Sequence, residues 1–398
     1  AEQGMRVIAV ASSTHVRERG TRADDESHLA LAGLVAFADP IRPGVADALA
    51  ECRAAGVRVM MITGDHPVTA KAVAESLGLA RANVATGADL DAADDVALAA
   101  LVSEVDIFAR TRPEQKHRIV RALRAQGHVV AMTGDGTNDA PALREADIGI
   151  AMGRRGTDVA RGAATLVLLD DNFATIVAAV RDGRRIFENL RRSFSYLIAF
   201  HAPLLVSALV VPLVGAPLML LPLHLVWLEL VVHPTASLVF EADPPAADLM
   251  RRPPRGRETG LLGRGALAGL LVRGLALTLG VLGLYLVELG AGASAEAARG
   301  VAVAALIFGQ VLLVLVERAG HRPLWRVGLE GNGAIVWILG ATLGSLLIAE
   351  YFGPLASLLH LVPPSASGWL TAFAVALMTT CWAEPFKVLR GGTAPSAA

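Results

Sequence analysis

The sequence predicts a two-part fold: an α/β domain built on a Rossmann-type parallel sheet, followed by an all-α bundle of six membrane-crossing helices. Three observations lead there. Charge is unevenly divided, with 24 Lys and Arg and 26 Asp and Glu in residues 1–192 but only 12 and 11 in residues 193–398. Short apolar runs alternate with amphipathic stretches through the first part, which is the pattern of βαβ units. In the second part the apolar runs reach ~20 residues, the length needed to cross a bilayer. With 54% hydrophobic residues the chain is not a purely soluble enzyme, a disordered segment or a collagen-like chain. A net charge of -1 argues against a nucleic-acid partner. The two cysteines, Cys52 and Cys381, exclude a disulfide framework or a Cys-based metal site.

Met5 to Ala11 reads as a buried strand, without the basic flank and apolar run of a signal peptide. Strand and helix then alternate: Leu31 to Phe37 and 44–55; Val57 to Ile62 and 67–77; Asp106 to Ala109 and 113–126; His128 to Met132 and 139–146. Residues 148–152 and 165–169 complete the set. Ligands of a parallel sheet bind at the carboxyl ends of its strands, so the residues after each run are the candidates. They are Asp39 to Arg42, Thr63-Gly64-Asp65, Arg110 to Lys116, and Thr133 to Pro141.

The glycines of Thr133-Gly134-Asp135-Gly136 permit positive φ and close backbone approach, so main-chain N–H groups can face an anion while Asp135 stands at the strand tip. A carboxylate beside such a nest points to Mg²⁺ and phosphate, with Asp135 and Asp139 as the metal candidates. Thr63 offers a hydroxyl at the neighbouring strand tip, and Lys116 lies near the start of a helix opened by Pro113, where an ammonium neutralises a phosphoryl group. A single Thr-Gly-Asp tripeptide reads as a simple capped turn; all four segments in this order do not.

The run Met132 to Leu143, preceded by Met61 to Asp65 and Asp39 to Arg42 and followed by Asp170 to Phe173 and Gly183 to Asn189, resembles the phosphorylation domain of P-type cation-transporting ATPases, a haloacid-dehalogenase-like fold. The likeness continues in order through nearly the whole chain. It implies that Asp135 holds Mg²⁺, that Thr63, Gly64, Asp65 and Lys116 serve the phosphoryl group with support from Asn138 and Asp139, and that Asp39, Arg42 and Arg110 border ATP. It also implies divisions at 1–30 (the end of a nucleotide-binding domain), 31–192 (the phosphorylation domain) and 193–390 (the membrane domain). The family transfers phosphate to the aspartate of Asp-Lys-Thr-Gly-Thr, and neither that run nor Thr-Gly-Glu occurs in these 398 residues. Covalent catalysis needs its nucleophile, so the expectation is the C-terminal part of a pump, inactive alone and partnered by a missing N-terminal part.

Six spans are drawn at about 194–213, 218–240, 262–288, 299–317, 333–352 and 367–386. Arginines and lysines gather before the first span, between the second and third, after the fourth and after the sixth, whereas 215–217, 289–298 and 353–368 hold none. The positive-inside rule then places the soluble half and the C-terminus in the cytosol, and the expected location is the bacterial plasma membrane. Within the spans stand His201, Glu229, His233, Arg273, Glu288 and Gln310; Glu350 and Glu384, near span ends, are expected at the interface. Glu229 and His233 share a helix face, and Pro203 and Pro234 free the carbonyls of Ala199 and Leu230 beside them. His201, Glu229 and His233 therefore form a candidate site for a transported cation, although a buried polar cluster holding helices together fits the same residues. Two imidazoles and one carboxylate suit a transition-metal ion, or either histidine could serve as a protonatable group, so the ion stays open. Two competing functions are a membrane-tethered phosphatase and a non-catalytic regulatory membrane protein.

Overall fold

The computed structural model describes residues 5–13, 21–22, 29–37, 40–79, 83–256, 260–320, 322–327 and 331–390. They form two compact units: residues 1–181 with 248–257, and residues 182–247 with 258–398.

Among the described residues the first unit holds eight strands. β3 (Met61–Ile62), β5 (Ile107–Ala109) and β4 (Val84–Thr86) form one parallel sheet in that spatial order, and β6 (Ala131–Gly134), β7 (Ile148–Met152) and β8 (Leu166–Leu168) form a second. The helix Pro113–Ala125 serves both. Its Ile119 and Leu123 share a core with Phe108 of the first sheet and Val102 of the helix Asp95–Glu104, while Val120 shares one with Met132 of the second sheet and Leu143 of the helix Ala140–Glu145. Proline at the first helical position sets its start. Helices Gly87–Ala92 and Asp95–Glu104 enter through side-chain caps at Thr86 and Asp94.

Two expectations fail at the start of the chain. The run 31–37 does not open the parallel sheet: β2 (Ala30–Phe37) pairs antiparallel with β1 (Arg6–Ser12) in a two-stranded ribbon. Nor is β1 buried, since Val7, Ile8 and Val10 are 43–47% exposed. An apolar run marks a strand but does not choose its partner, and a two-stranded ribbon has no second layer to bury it.

The second unit is helical. Six of the described helices are long and apolar enough to cross a membrane: Phe173–Leu213, Pro222–Glu241, Gly265–Gly290, Ala295–Ala319, Ala334–Tyr351 and Ala366–Val388. The first begins well before its apolar part, as one helix of 41 residues with Pro203 inside it. The second contains a π-helical stretch, Leu228–Val232, directly before His233 and Pro234. A residue that cannot donate to the i−4 carbonyl disturbs the ladder at this point, and a π turn is a common way to absorb it. The fourth span is the buried centre of the bundle. A Cβ on Gly300 would stand 2.2 Å from the Val362 carbonyl oxygen, so only glycine lets that backbone approach.

Glu350 and Glu384 are buried in the second unit and do not face outward at the span ends. They are 0% and 2% exposed, and Glu384 accepts the Leu324 N–H at 2.8 Å and pairs with Lys387. Position near a span end does not reveal what neighbouring helices cover.

Candidate functional site

The strand tips of the first unit converge as the parallel topology requires. Thr63 continues β3 by donating its N–H to the Phe108 carbonyl at 2.8 Å. Its hydroxyl donates to Asp65 Oδ2 at 3.0 Å and accepts the Asp65 N–H at 3.1 Å, closing a local turn around Gly64. The Thr63 carbonyl accepts the Thr111 N–H and hydroxyl at 3.1 and 3.0 Å, and the Asp65 carbonyl accepts the Arg110 N–H at 3.0 Å. Arg110 takes φ 53 to make that bond. The Thr-Gly-Asp turn is thus held by its neighbouring loop.

At the second sheet Asp139 is 6% exposed. Its Oδ1 lies 2.7 Å from Lys116 Nζ, and its Oδ2 accepts the backbone N–H groups of Asp135 and Gly136 at 3.3 and 3.1 Å. The nest anticipated from the glycines exists, but it holds the Asp139 carboxylate. Neither glycine takes positive φ: Gly136 has φ −98, and Gly134 is not among the described glycines that do. Gly134 is required for space, because a Cβ there would stand 2.5 Å from Asp139 Cβ.

Arg42, Ile62, Lys116, Thr133, Gly134, Asp135, Asp139, Met152 and Arg155 line one open cleft of about 370 Å³. The structure thereby brings Arg42, Lys116, Asp135 and Asp139 together, with Ile62 placing the tip of β3 on the same cleft. Thr63, Gly64, Asp65, Arg110 and Asn138 are not part of its wall; Asn138 is exposed in the turn Thr137–Asp139. Asp39 lies outside the described residues. Sequence reasoning missed Arg155 and Asp171. Asp171, at φ 53, accepts the N–H groups of Arg154 and Arg155 at 3.0 Å each through its carboxylate, and the Arg42 guanidinium donates to its carbonyl. Burial pushes the Asp171 carboxyl up, but the N–H groups of Arg154, Arg155 and Gly153 and the Arg42 charge hold it below the usual carboxylate range. The rule that found the other tips, applied also to the end of β7, leads to Arg154 and Arg155.

The donor set of the cleft fits Mg²⁺. Asp135 is a half-buried carboxylate on its wall, and Mg²⁺ is usually held by one or two carboxylates with phosphate and water completing the shell. Asp139 reaches the same cleft but already accepts three donors.

In the second unit Glu229 joins both histidines. Its Oε1 lies 3.1 Å from His201 Nε2 and its Oε2 3.2 Å from His233 Nδ1. His201 Nδ1 faces the Leu197 carbonyl at 2.8 Å. A carbonyl only accepts, so Nδ1 is the donor in that contact. The imidazoles of His201 and His233 meet edge to face at 5.5 Å, and Phe200 stacks on His233 at 5.5 Å. Among the described residues no three His, Cys, Asp or Glu side chains stand in a ready-made metal cage. The trio contacts itself at hydrogen-bond distance.

Comparison with known proteins follows the same division. A model of haloacid dehalogenase-like hydrolases matches residues 7–147, and a model of the C-terminus of cation transporting ATPases matches residues 217–389. The chain is 36% identical over 389 residues to a calcium-transporting ATPase of Bacillus subtilis (strain 168), covering 96% of this chain and 43% of that protein. It is 37% identical over 389 residues to a probable cation-transporting ATPase F of Mycobacterium tuberculosis, covering 95% and 43%. An endoplasmic reticulum calcium ATPase of Aspergillus fumigatus is 41% identical over 276 residues, covering 66% and 28%. The chain spans less than half the length of these curated relatives.

Proposed function

From the premise that this chain belongs to the P-type cation-transporting ATPases, we propose that it is the C-terminal part of an ATP-driven cation pump, carrying the Mg²⁺ and phosphate half of the catalytic site and six membrane spans. The observation that carries this reading is the convergence of Lys116, Arg42, Asp135 and Asp139 on one cleft at the strand tips. Asp135 would hold Mg²⁺, which when bound neutralises phosphate charge and fixes its orientation. Lys116 supplies a cation at the start of its helix, and Arg42 and Arg155 add two more on the same wall. The turn of Thr63, Gly64 and Asp65, next in sequence to Ile62 on that wall, would serve the phosphoryl group, while Asn138 and Asp139 would support the loop that bears Asp135. Asp39, Arg42 and Arg110 border the nucleotide. The nucleophile belongs to a preceding part of the protein, and the 398 residues alone would form no phosphoenzyme.

His201, Glu229 and His233 are the proposed cation site, on the spans that carry the internal proline and the π turn. The relatives' names support calcium. The donors support a softer ion, because one carboxylate and two imidazoles fall short of the six to eight oxygens that Ca²⁺ typically takes. The arginine-rich loops support a cytosolic placement of the first unit at a bacterial plasma membrane. ATP hydrolysis by the full-length protein, measured with Ca²⁺, Mn²⁺ or Zn²⁺ in turn, tests the reading: stimulation by one of them and vesicle accumulation of that ion support it, and hydrolysis indifferent to every cation overturns it.

A further inference from the structure

A small cavity lies inside the second unit, where four spans meet. It offers about 10 Å³ to the centre of a water molecule, and it is walled by Tyr196, Val232, Gln310 and Thr342 among otherwise apolar carbon. Tyr196 is 0% and Gln310 1% exposed. Among the described residues the Tyr196 hydroxyl and both Nε2 and Oε1 of Gln310 have no hydrogen-bond partner. The Thr342 hydroxyl is already engaged, donating to the Ile338 carbonyl at 3.0 Å.

Buried polar groups left bare are costly, and native proteins satisfy them. Three bare atoms around a space of this size match the requirement for one water, which needs about 10–15 Å³ on this measure and two to four polar partners. The guest is neutral by the same reasoning. No carboxylate lines the cavity, and an ion would enter a low-dielectric space without a counter-charge.

We propose that one water molecule occupies this cavity and bridges the Tyr196 hydroxyl to the Gln310 amide, making Gln310 a positioning residue for His233. The Tyr196 ring stacks on Phe200 at 5.7 Å and packs against His233 at 6.2 Å, and His233 in turn meets Glu229. Val232, the last residue of the π stretch and the neighbour of His233, lines the same cavity. A fixed hydroxyl fixes the ring, and the ring fixes the imidazole. The positioning role rests on the reading of His201, Glu229 and His233 as the cation site; the water does not.

Two measurements on the full-length protein test this. A structure that shows ordered waters in lipid nanodiscs should place one between Tyr196 Oη and Gln310, and should lose it in Gln310→Leu; an empty cavity in the unmodified protein overturns the proposal. In the hydrolysis assay, Gln310→Leu and Tyr196→Phe should each raise the ion concentration for half-maximal rate about five-fold, the worth of one neutral hydrogen bond. The maximal rate should stay within about two-fold, and the double variant should be no worse than the weaker single one. Additive effects, or none, overturn the positioning role. If no cation stimulates hydrolysis, the cation-site reading fails with the positioning role, and the density alone decides the water.

Discussion

Lys116 Nζ lies 2.7 Å from Asp139 Oδ1, and the other oxygen of that carboxylate is held by the N–H groups of Asp135 and Gly136. The pair ties the helix Pro113–Ala125 to the loop after β6, so a cation proposed for phosphate and an acid proposed for support form one unit. A phosphoryl group entering the cleft competes for Lys116, while Asp139 retains two backbone donors.

Lys116→Met should therefore damage both structure and chemistry. Asp139 would stay buried with its charge uncompensated, lowering stability by about 1–3 kcal/mol, and phosphorylation from ATP should fall by roughly 10². Thermal melts and acid-stable labelling of the full-length protein measure the two. Normal labelling in a destabilised variant would remove Lys116 from the phosphate site.

Gly134→Ala and Gly64→Ala form a matched pair. The first places a Cβ 2.5 Å from Asp139 Cβ and should cost about 1–3 kcal/mol. The second meets nothing within 4 Å and should stay within about 0.5 kcal/mol of the parent. Equal stabilities would show that the loop relaxes around residue 134.

Much of this was legible in the sequence, for identifiable reasons. Strand tips in a parallel sheet carry ligands, and the residues after each apolar run include Lys116, Asp135 and Asp139. Pro113 and Pro234 announce a helix start and a disturbed span because proline acts locally, whereas the helix runs unbroken through Pro203. What stayed hidden depended on distant partners. Nothing in 31–37 says that it pairs with 6–12, and nothing around Glu350 says that other spans bury it. Nor does the glycine pattern of 133–136 distinguish a nest for phosphate from one that Asp139 fills. Asp171 carries no role in the sequence pattern because what it does is accept backbone N–H groups from the loop after the adjacent strand.

Acid should loosen the loop of Asp171. A carboxyl held below its ordinary value stabilises the fold above the unfolded pKa of about 3.9 and loses that contribution as pH falls through the folded value. The parent should lose stability steeply below pH of about 4, and Asp171→Asn, less stable at neutral pH, should show a shallower acid loss. Parallel curves of stability against pH would assign the acid loss to other carboxylates.

Asp243 is the corresponding centre in the second unit. At 2% exposure it accepts Arg318 Nε at 2.7 Å, Asn332 Nδ2 at 2.8 Å and Arg192 NH1 at 3.4 Å. Asp243→Ala would remove the buried carboxylate that Arg318, Asn332 and Arg192 share, and the expected loss is about 3–5 kcal/mol. Asp243→Asn, which keeps one acceptor, should lose less. A detergent melt with both variants at the parent value would contradict this.

Glu229→Gln keeps the shape of the side chain but removes the charge that both histidines face. The expected outcome is a changed order of stimulating ions with stability near the parent. An unchanged order, with or without lower stability, would make the trio a structural cluster.

Asp135 decides the central claim. The full-length protein should take up the γ-phosphate of ATP in the presence of Mg²⁺, and Asp135→Asn should lower that labelling by roughly 10² or more while the melting temperature stays near the parent's. Labelling that survives the substitution unchanged would contradict the assignment of this cleft as the magnesium and phosphate site.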